Sequence, residues 1–126
     1  DVYKRQTPNE SSEEDFAVCL GHLKEILGSK DKVILVCHHP AGDTVVDFTG
    51  SGHSGSVSVR EFIESCQPML ALSGHIHDAP GVDHIGKTTL VNPGPMQRGC
   101  YAYIEVNEDG QVEAVELRNA SNYGRK

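Results

Sequence analysis

No stretch of about 18 apolar residues occurs among the 126 residues, so no membrane-spanning helix is expected. The four cysteines, Cys19, Cys37, Cys66 and Cys100, are widely spaced and form no C-x-x-C pair. Neither a zinc ribbon nor a compact disulfide framework is therefore indicated, and they are read as buried, reduced thiols. Eleven Lys and Arg stand against 18 Asp and Glu, a net charge of -7, and the basic residues are scattered. A surface that binds nucleic-acid backbone nonspecifically needs a basic stripe, so that partner class is not expected, whereas a nucleotide substrate remains compatible. Internal repeats and low-complexity segments are also lacking. What is there, 37% hydrophobic and 23% charged residues, suits one soluble globular domain or part of one. A targeting segment would sit at the true N-terminus, which is read below as missing, so its absence says nothing, and a cytoplasmic location is an expectation by default alone.

Against these absences stand two histidine turns, Cys37-His38-His39-Pro40 and Gly74-His75-Ile76-His77, each directly after a short apolar run. Lys32 to Cys37 is β-branched and apolar without alternation, which predicts a strand buried on both faces. Met69 to Ser73 predicts a second short buried strand. Ser11 and Glu14 have capping-box spacing, and Phe16, Leu20, Leu23 and Leu27 form one apolar stripe that ends at Gly28, so a helix is expected there. Ser56 is placed to cap another helix, with Val59, Phe62, Ile63 and Cys66 on one face and Pro68 marking its end. A strand, loop, helix, strand order delivers both histidine turns to one edge of a sheet, where α/β folds bind ligands. The glycine-rich segment 40–56 reads as a long polar loop overhanging that edge. From residue 82 four short β-rich runs suggest a meander, with a hairpin turn at Asn107-Glu108-Asp109-Gly110, and Asn119 onward reads as a frayed tail.

Neutral imidazole suits zinc, iron, manganese or nickel, and a H-x-H pair on a turn can aim two rings into one cleft. If each of two ions takes one ring, the pair straddles a binuclear centre with ions about 3.5–4 Å apart, the spacing that clamps the attacking and leaving oxygens of a phosphoryl transfer. Three neutral ligands cannot satisfy two divalent ions, however, and carboxylates must complete the set. Asp43, Asp47, Asp78 and Asp83 are the nearby carboxylates, but each sits in a loop or turn where Asp commonly bonds its own backbone. His22 and His84 read as surface or packing residues. His39 reads either as a partner behind the ligands, a substrate contact or a solvent-facing turn residue, and His53 as a substrate contact or loop filler.

The ordered set, strand-His38-His39-Pro40, His53-Ser54-Gly55-Ser56 before a helix, strand-Gly74-His75-Ile76-His77 and Asn92-Pro93-Gly94, resembles the downstream motifs of the calcineurin-like metallophosphoesterases, in their small bacterial and archaeal type. The resemblance covers roughly residues 32–106. It implies an α/β four-layer αββα sandwich, two divalent metal ions (Mn, Fe, Zn or Ni), and hydrolysis of a phosphomonoester or phosphodiester, with a small molecule or nucleotide as substrate. It implies that His38 and His75 ligate one metal and His77 the other, with Asn92-Pro93-Gly94 a structural turn beneath the site. The family's D-x-H, G-D-x-x-D and G-N-H-[DE] motifs have no counterpart in these residues.

Asp1-Val2-Tyr3-Lys4-Arg5-Gln6 resembles the translation of a transposon-end adapter used for sequencing libraries, so residues 1–6 are read as a scar and residues 7–126 as the C-terminal part of one domain. The expected sandwich is accordingly incomplete, its N-terminal half missing, and the fragment alone is expected to be inactive. The alternatives are a noncatalytic scaffold that binds a protein partner, and a small His-rich protein with one metal ion.

Overall fold

The computed structural model describes residues 13–28 and 32–122. Helix α1 runs over Glu13–Ile26, and its predicted cap at Ser11, like the 1–6 segment, lies outside the described residues. Strand β1 (Ile34–Val36) is followed by the loop, which contains a one-turn helix at Val45–Asp47 and the short strands β2 (Phe48–Thr49) and β3 (Gly52–His53). Helix α2 (Val57–Cys66), β4 (Leu70–Leu72), β5 (Gly81–Ile85), β6 (Thr88–Asn92), β7 (Cys100–Val106) and β8 (Val112–Asn119) complete the chain order.

A four-stranded sheet has the order β1-β4-β6-β5, parallel from β1 through β4 to β6 and antiparallel between β6 and β5. This mixed α/β sheet with its helices has the architecture expected from the sequence. The predicted meander is instead two hairpins: β5–β6 joins the main sheet, while β7–β8 forms a two-stranded sheet of its own.

Helix α2 forms where the sequence places it. Ser56 accepts a hydrogen bond at Oγ from the Val59 N–H (3.1 Å), and Val59, Phe62 and Ile63 are buried. The core gathers these three with Leu20 of α1, Leu35 of β1, Ala71 of β4, Ile85 and Leu90, and it also takes Ala41 and Val46 from the loop. Helix α1 packs beside α2 more shallowly than its stripe predicts, with Leu20 its only buried residue and Leu23 exposed. Strand β1 also departs from expectation. Leu35 is buried, but Ile34 and Val36 are 45% and 74% exposed, because among the described residues nothing covers that face. Cys19 lies exposed on α1 rather than buried, and the other three thiols are half-buried and unpaired. Asn119, where the sequence predicts a frayed tail to begin, is instead tied down: its Nδ2 donates to the Arg98 carbonyl (3.1 Å) while Ala120 N–H bonds Gly99 O (2.7 Å). Residues 123–126 lie outside the described residues.

Candidate metal centre

The two histidine turns leave the sheet side by side because β1 and β4 are parallel neighbours in register, with Val36 opposite Leu72. Cys37 N–H still bonds Leu72 O (3.0 Å), and one step further Gly74 N–H bonds His38 O (3.0 Å), so the turns are tied together at their base. His38 Nε2 and His75 Nδ1 then stand 3.0 Å apart. The His39 ring packs between the Phe16 ring of α1 (5.1 Å between centroids) and the His75 ring (4.2 Å). His75 holds φ at +60°, a left-handed conformation that a side chain adopts at a cost and that commonly marks functional turns.

Asn92 sets the height of the second turn. It is buried, and its Nδ2 donates to the carbonyls of Ile76 (2.9 Å) and Ala79 (3.0 Å), with Val46 O at 3.4 Å, while its Oδ1 accepts from Gly94 N–H (3.1 Å). This asparagine therefore belongs to the scaffold beneath the histidines. His77 is exposed on the turn, and among the described residues no three His, Cys, Asp or Glu side chains converge into one metal-holding group. His38 and His75 are brought together, and His77 does not join them as a third member.

Loop 40–56 is built rather than loose. It is closed at the base by Ser56 N–H to Pro40 O (2.8 Å) and Gly42 N–H to Ser56 O (2.9 Å). A Cβ on Gly55 would stand 2.7 Å from the carbonyl oxygens of both Pro40 and Ala41, so only glycine fits that crossing. Inside the loop, fully buried Asp47 accepts from the N–H groups of Asp43 (3.0 Å), Thr44 (2.9 Å) and Gly55 (2.9 Å), and its Oδ1 lies 2.6 Å from His53 Nδ1. Burial alone would raise the Asp47 pKa. The hydrogen bonds from His53 and the three amides outweigh it and hold the carboxyl below its usual range. His53 moves the opposite way, upward, chiefly through its hydrogen bond to Asp47, with partial desolvation opposing and the charges of Asp47 and Asp43 adding. The spacing Thr44-Val45-Val46-Asp47 is the one local signal that could have marked Asp47 as a cap of its own turn.

The other carboxylates are also engaged. Asp83 Oδ2 accepts from Val45 N–H (2.9 Å), Asp78 lies 3.4 Å from Arg98 Nη1, and Asp43 lies 3.4 Å from His53 Nε2. His84 is exposed on β5, and His22 on α1, as expected of residues with no special role.

A family model described as metallophosphoesterase, calcineurin superfamily, matches residues 10–117. The chain belongs to this family. The metallophosphoesterase chain is 35% identical over 100 residues to the uncharacterized protein MJ1162 of Methanocaldococcus jannaschii, which covers 75% of this chain and 44% of that protein. Its fold is similar to a crystal structure with a TM-score of 0.64 at 25% identity, covering 85% of this chain and 39% of the other. It is also similar to TT1561 of Thermus thermophilus, with a TM-score of 0.52 at 23% identity over 79% of this chain and 39% of that one. The metallophosphoesterase chain thus spans less than half the length of the relatives it matches.

Members of the family are generally hydrolases of phosphoesters that use divalent ions. The donors here suit such an ion in part. Two imidazole nitrogens 3.0 Å apart are as close as neighbouring ligands of one ion bound at about 2.0–2.1 Å. Both belong to the donor class that borderline divalent metals favour.

Proposed function

We propose that this chain supplies the histidine side of a binuclear metal centre in an enzyme that hydrolyses phosphomonoesters or phosphodiesters. The observation that supports it is the His38–His75 contact at the ends of two adjacent parallel strands. In this reading His38 and His75 hold one ion and His77, two residues on, holds the second. The bridging and remaining carboxylate ligands come from residues outside these 126, in keeping with the share of each relative that the chain leaves uncovered. Mn, Fe, Zn or Ni, held there, would supply Lewis acidity and neutralise charge on the transferring phosphoryl group. The chain's own residues position the ligands. Asn92 fixes the turn that carries His75 and His77, and the His39 ring, edge-on to Phe16, packs against the His75 ring.

The test is to recover the reading frame around this sequence and express both lengths. Manganese binding is followed by calorimetry and hydrolysis with bis-p-nitrophenyl phosphate. Loss of a metal ligand should weaken binding by at least the roughly 10- to 100-fold that loss of a supporting contact costs a metal site. His38→Ala and His75→Ala should each do so, and His84→Ala should not. A long form that binds metal but hydrolyses nothing would favour the noncatalytic scaffold. One ion per chain, insensitive to His77→Ala, would favour the mononuclear metal binder.

A further inference from the structure

His75 needs outside support if it is to serve as a ligand. It stands half-buried on a left-handed turn, and the torsion that sets the plane of an imidazole is broad, so rotamer preference alone does not fix its ring. Neighbouring rings supply the constraint. His38 meets the His75 ring edge-on, with 4.8 Å between centroids and 69° between planes, while His39 lies against it at 4.2 Å and 36°. His39 also meets His38 edge-on, at 5.4 Å and 86°. Edge-to-face and offset contacts are the arrangements that aromatic rings favour.

His39 is itself held from two sides. The half-buried Phe16 ring of α1 stands edge-on to it, at 5.1 Å and 61°. Phe16 lies one turn along α1 from Glu13, whose carboxylate accepts from Val57 and Ser58 N–H at the start of α2 and whose carbonyl accepts from Ser58 Oγ (3.3 Å). On the backbone side, Pro40 follows His39, is fully buried, and accepts at its carbonyl from the N–H of Ser56, the residue that caps α2 (2.8 Å). Ring and backbone of His39 are therefore both tied to the N-terminus of α2, which gives the ring a fixed place from which to press on His75.

We infer that Phe16 and His39 are positioning residues of the metal centre: the His39 ring, backed by Phe16, holds the His75 ring against His38. This rests on the metal reading above. The positioning itself needs no metal, and that separates the two tests. His39 acts here through the face of its ring rather than through its nitrogens, so a phenyl ring can replace it.

The experiment compares His39→Ala, His39→Phe and Phe16→Ala with the unaltered chain. Nuclear Overhauser contacts between the His38 and His75 rings report ring orientation in the metal-free chain, and calorimetry reports manganese affinity. His39→Ala should lose the ring contacts and weaken manganese binding by about tenfold or more, the effect of losing a supporting contact. Phe16→Ala, one contact further back, should weaken it by about two- to tenfold, the worth of one aromatic pair. His39→Phe should keep the ring contacts and most of the affinity. Ile85→Val loosens packing at the other end of the sheet from Asn92, and it should leave both readouts unchanged, which separates positioning from lost stability. Ring contacts and affinity unchanged in His39→Ala would overturn the inference, as would His39→Phe binding manganese as weakly as His39→Ala. Failure of manganese to bind the unaltered chain, with the His38–His75 ring contacts present and dependent on His39, would overturn the metal reading alone.

Discussion

Asn92 carries no charge, yet its one amide joins the histidine turn, the loop at Val46 and the turn at Gly94. Asn92→Leu would leave several buried carbonyls without a donor, and each such loss costs about 1–3 kcal/mol. We expect a loss of about 2–3 kcal/mol in urea unfolding, together with weaker manganese binding because the turn that carries His75 relaxes. His75 itself holds φ at +60°. A Cβ in that region costs about 1–2 kcal/mol. With the ring removed in both variants, His75→Gly should therefore be more stable than His75→Ala by about 1 kcal/mol, the reverse of their order in an ordinary strand or helix. Equal stabilities by thermal melting would show that the strain is absent. Neither the hydrogen bonds of Asn92 nor the conformation of His75 is legible in sequence. The sequence places both residues in turns and cannot say which carbonyls will lie beneath them.

At the scale of elements, the loop depends on charge. Asp47 is held below its ordinary 3.8, so its contribution is present above that value and is lost as pH falls through the lower, folded-state pKa. His53 is held above its ordinary 6.5, so its contribution is complete below 6.5 and is lost as pH rises through the higher, folded-state pKa. Loop anchorage should therefore be greatest between these limits. Hydrogen exchange at the amides of Asp43, Thr44 and Gly55, corrected for intrinsic rate, should show protection falling on both sides. In Asp47→Asn the acid limb should vanish and stability should drop by about 1.5–3 kcal/mol, the range for hydrogen bonds to a charged group. Helix α2 has a second cap that no local pattern reveals: the Glu13 carboxylate of α1 accepts from Val57 and Ser58 N–H, both at 3.1 Å. Glu13→Gln should cost about 0.3–1 kcal/mol, read as a shift in the unfolding midpoint that high salt reduces. The helix itself was legible, because Ser56 and the Val59, Phe62, Ile63 spacing are local signals. Its partner in α1 was not, because residues 13 and 57 are 44 positions apart in sequence and meet only through the tertiary fold.

For the whole molecule, the exposed face of β1 has the clearest consequence. Ile34 and Val36 point away from the core on a strand at the edge of the sheet, an arrangement that invites pairing with another chain. Sedimentation of this chain should show concentration-dependent association, reduced in the double variant Ile34→Thr, Val36→Lys. A monodisperse monomer at high concentration would show that the face is tolerated in water. The sequence by itself determined the order of strands and helices, the cap at Ser56, the hairpin turn ending at Gly110, and the positions of His38, His75 and His77 at strand ends, because periodicity and turn chemistry are local properties of the chain. Only the tertiary structure decided that β6 lies inside the sheet beside β4, that β7–β8 stands apart, that one face of β1 is bare among the described residues, and that Asp47 is the buried anchor of its loop. Those outcomes depend on which distant segments share surfaces, and hydrophobic burial specifies that an apolar face must be covered without specifying by what.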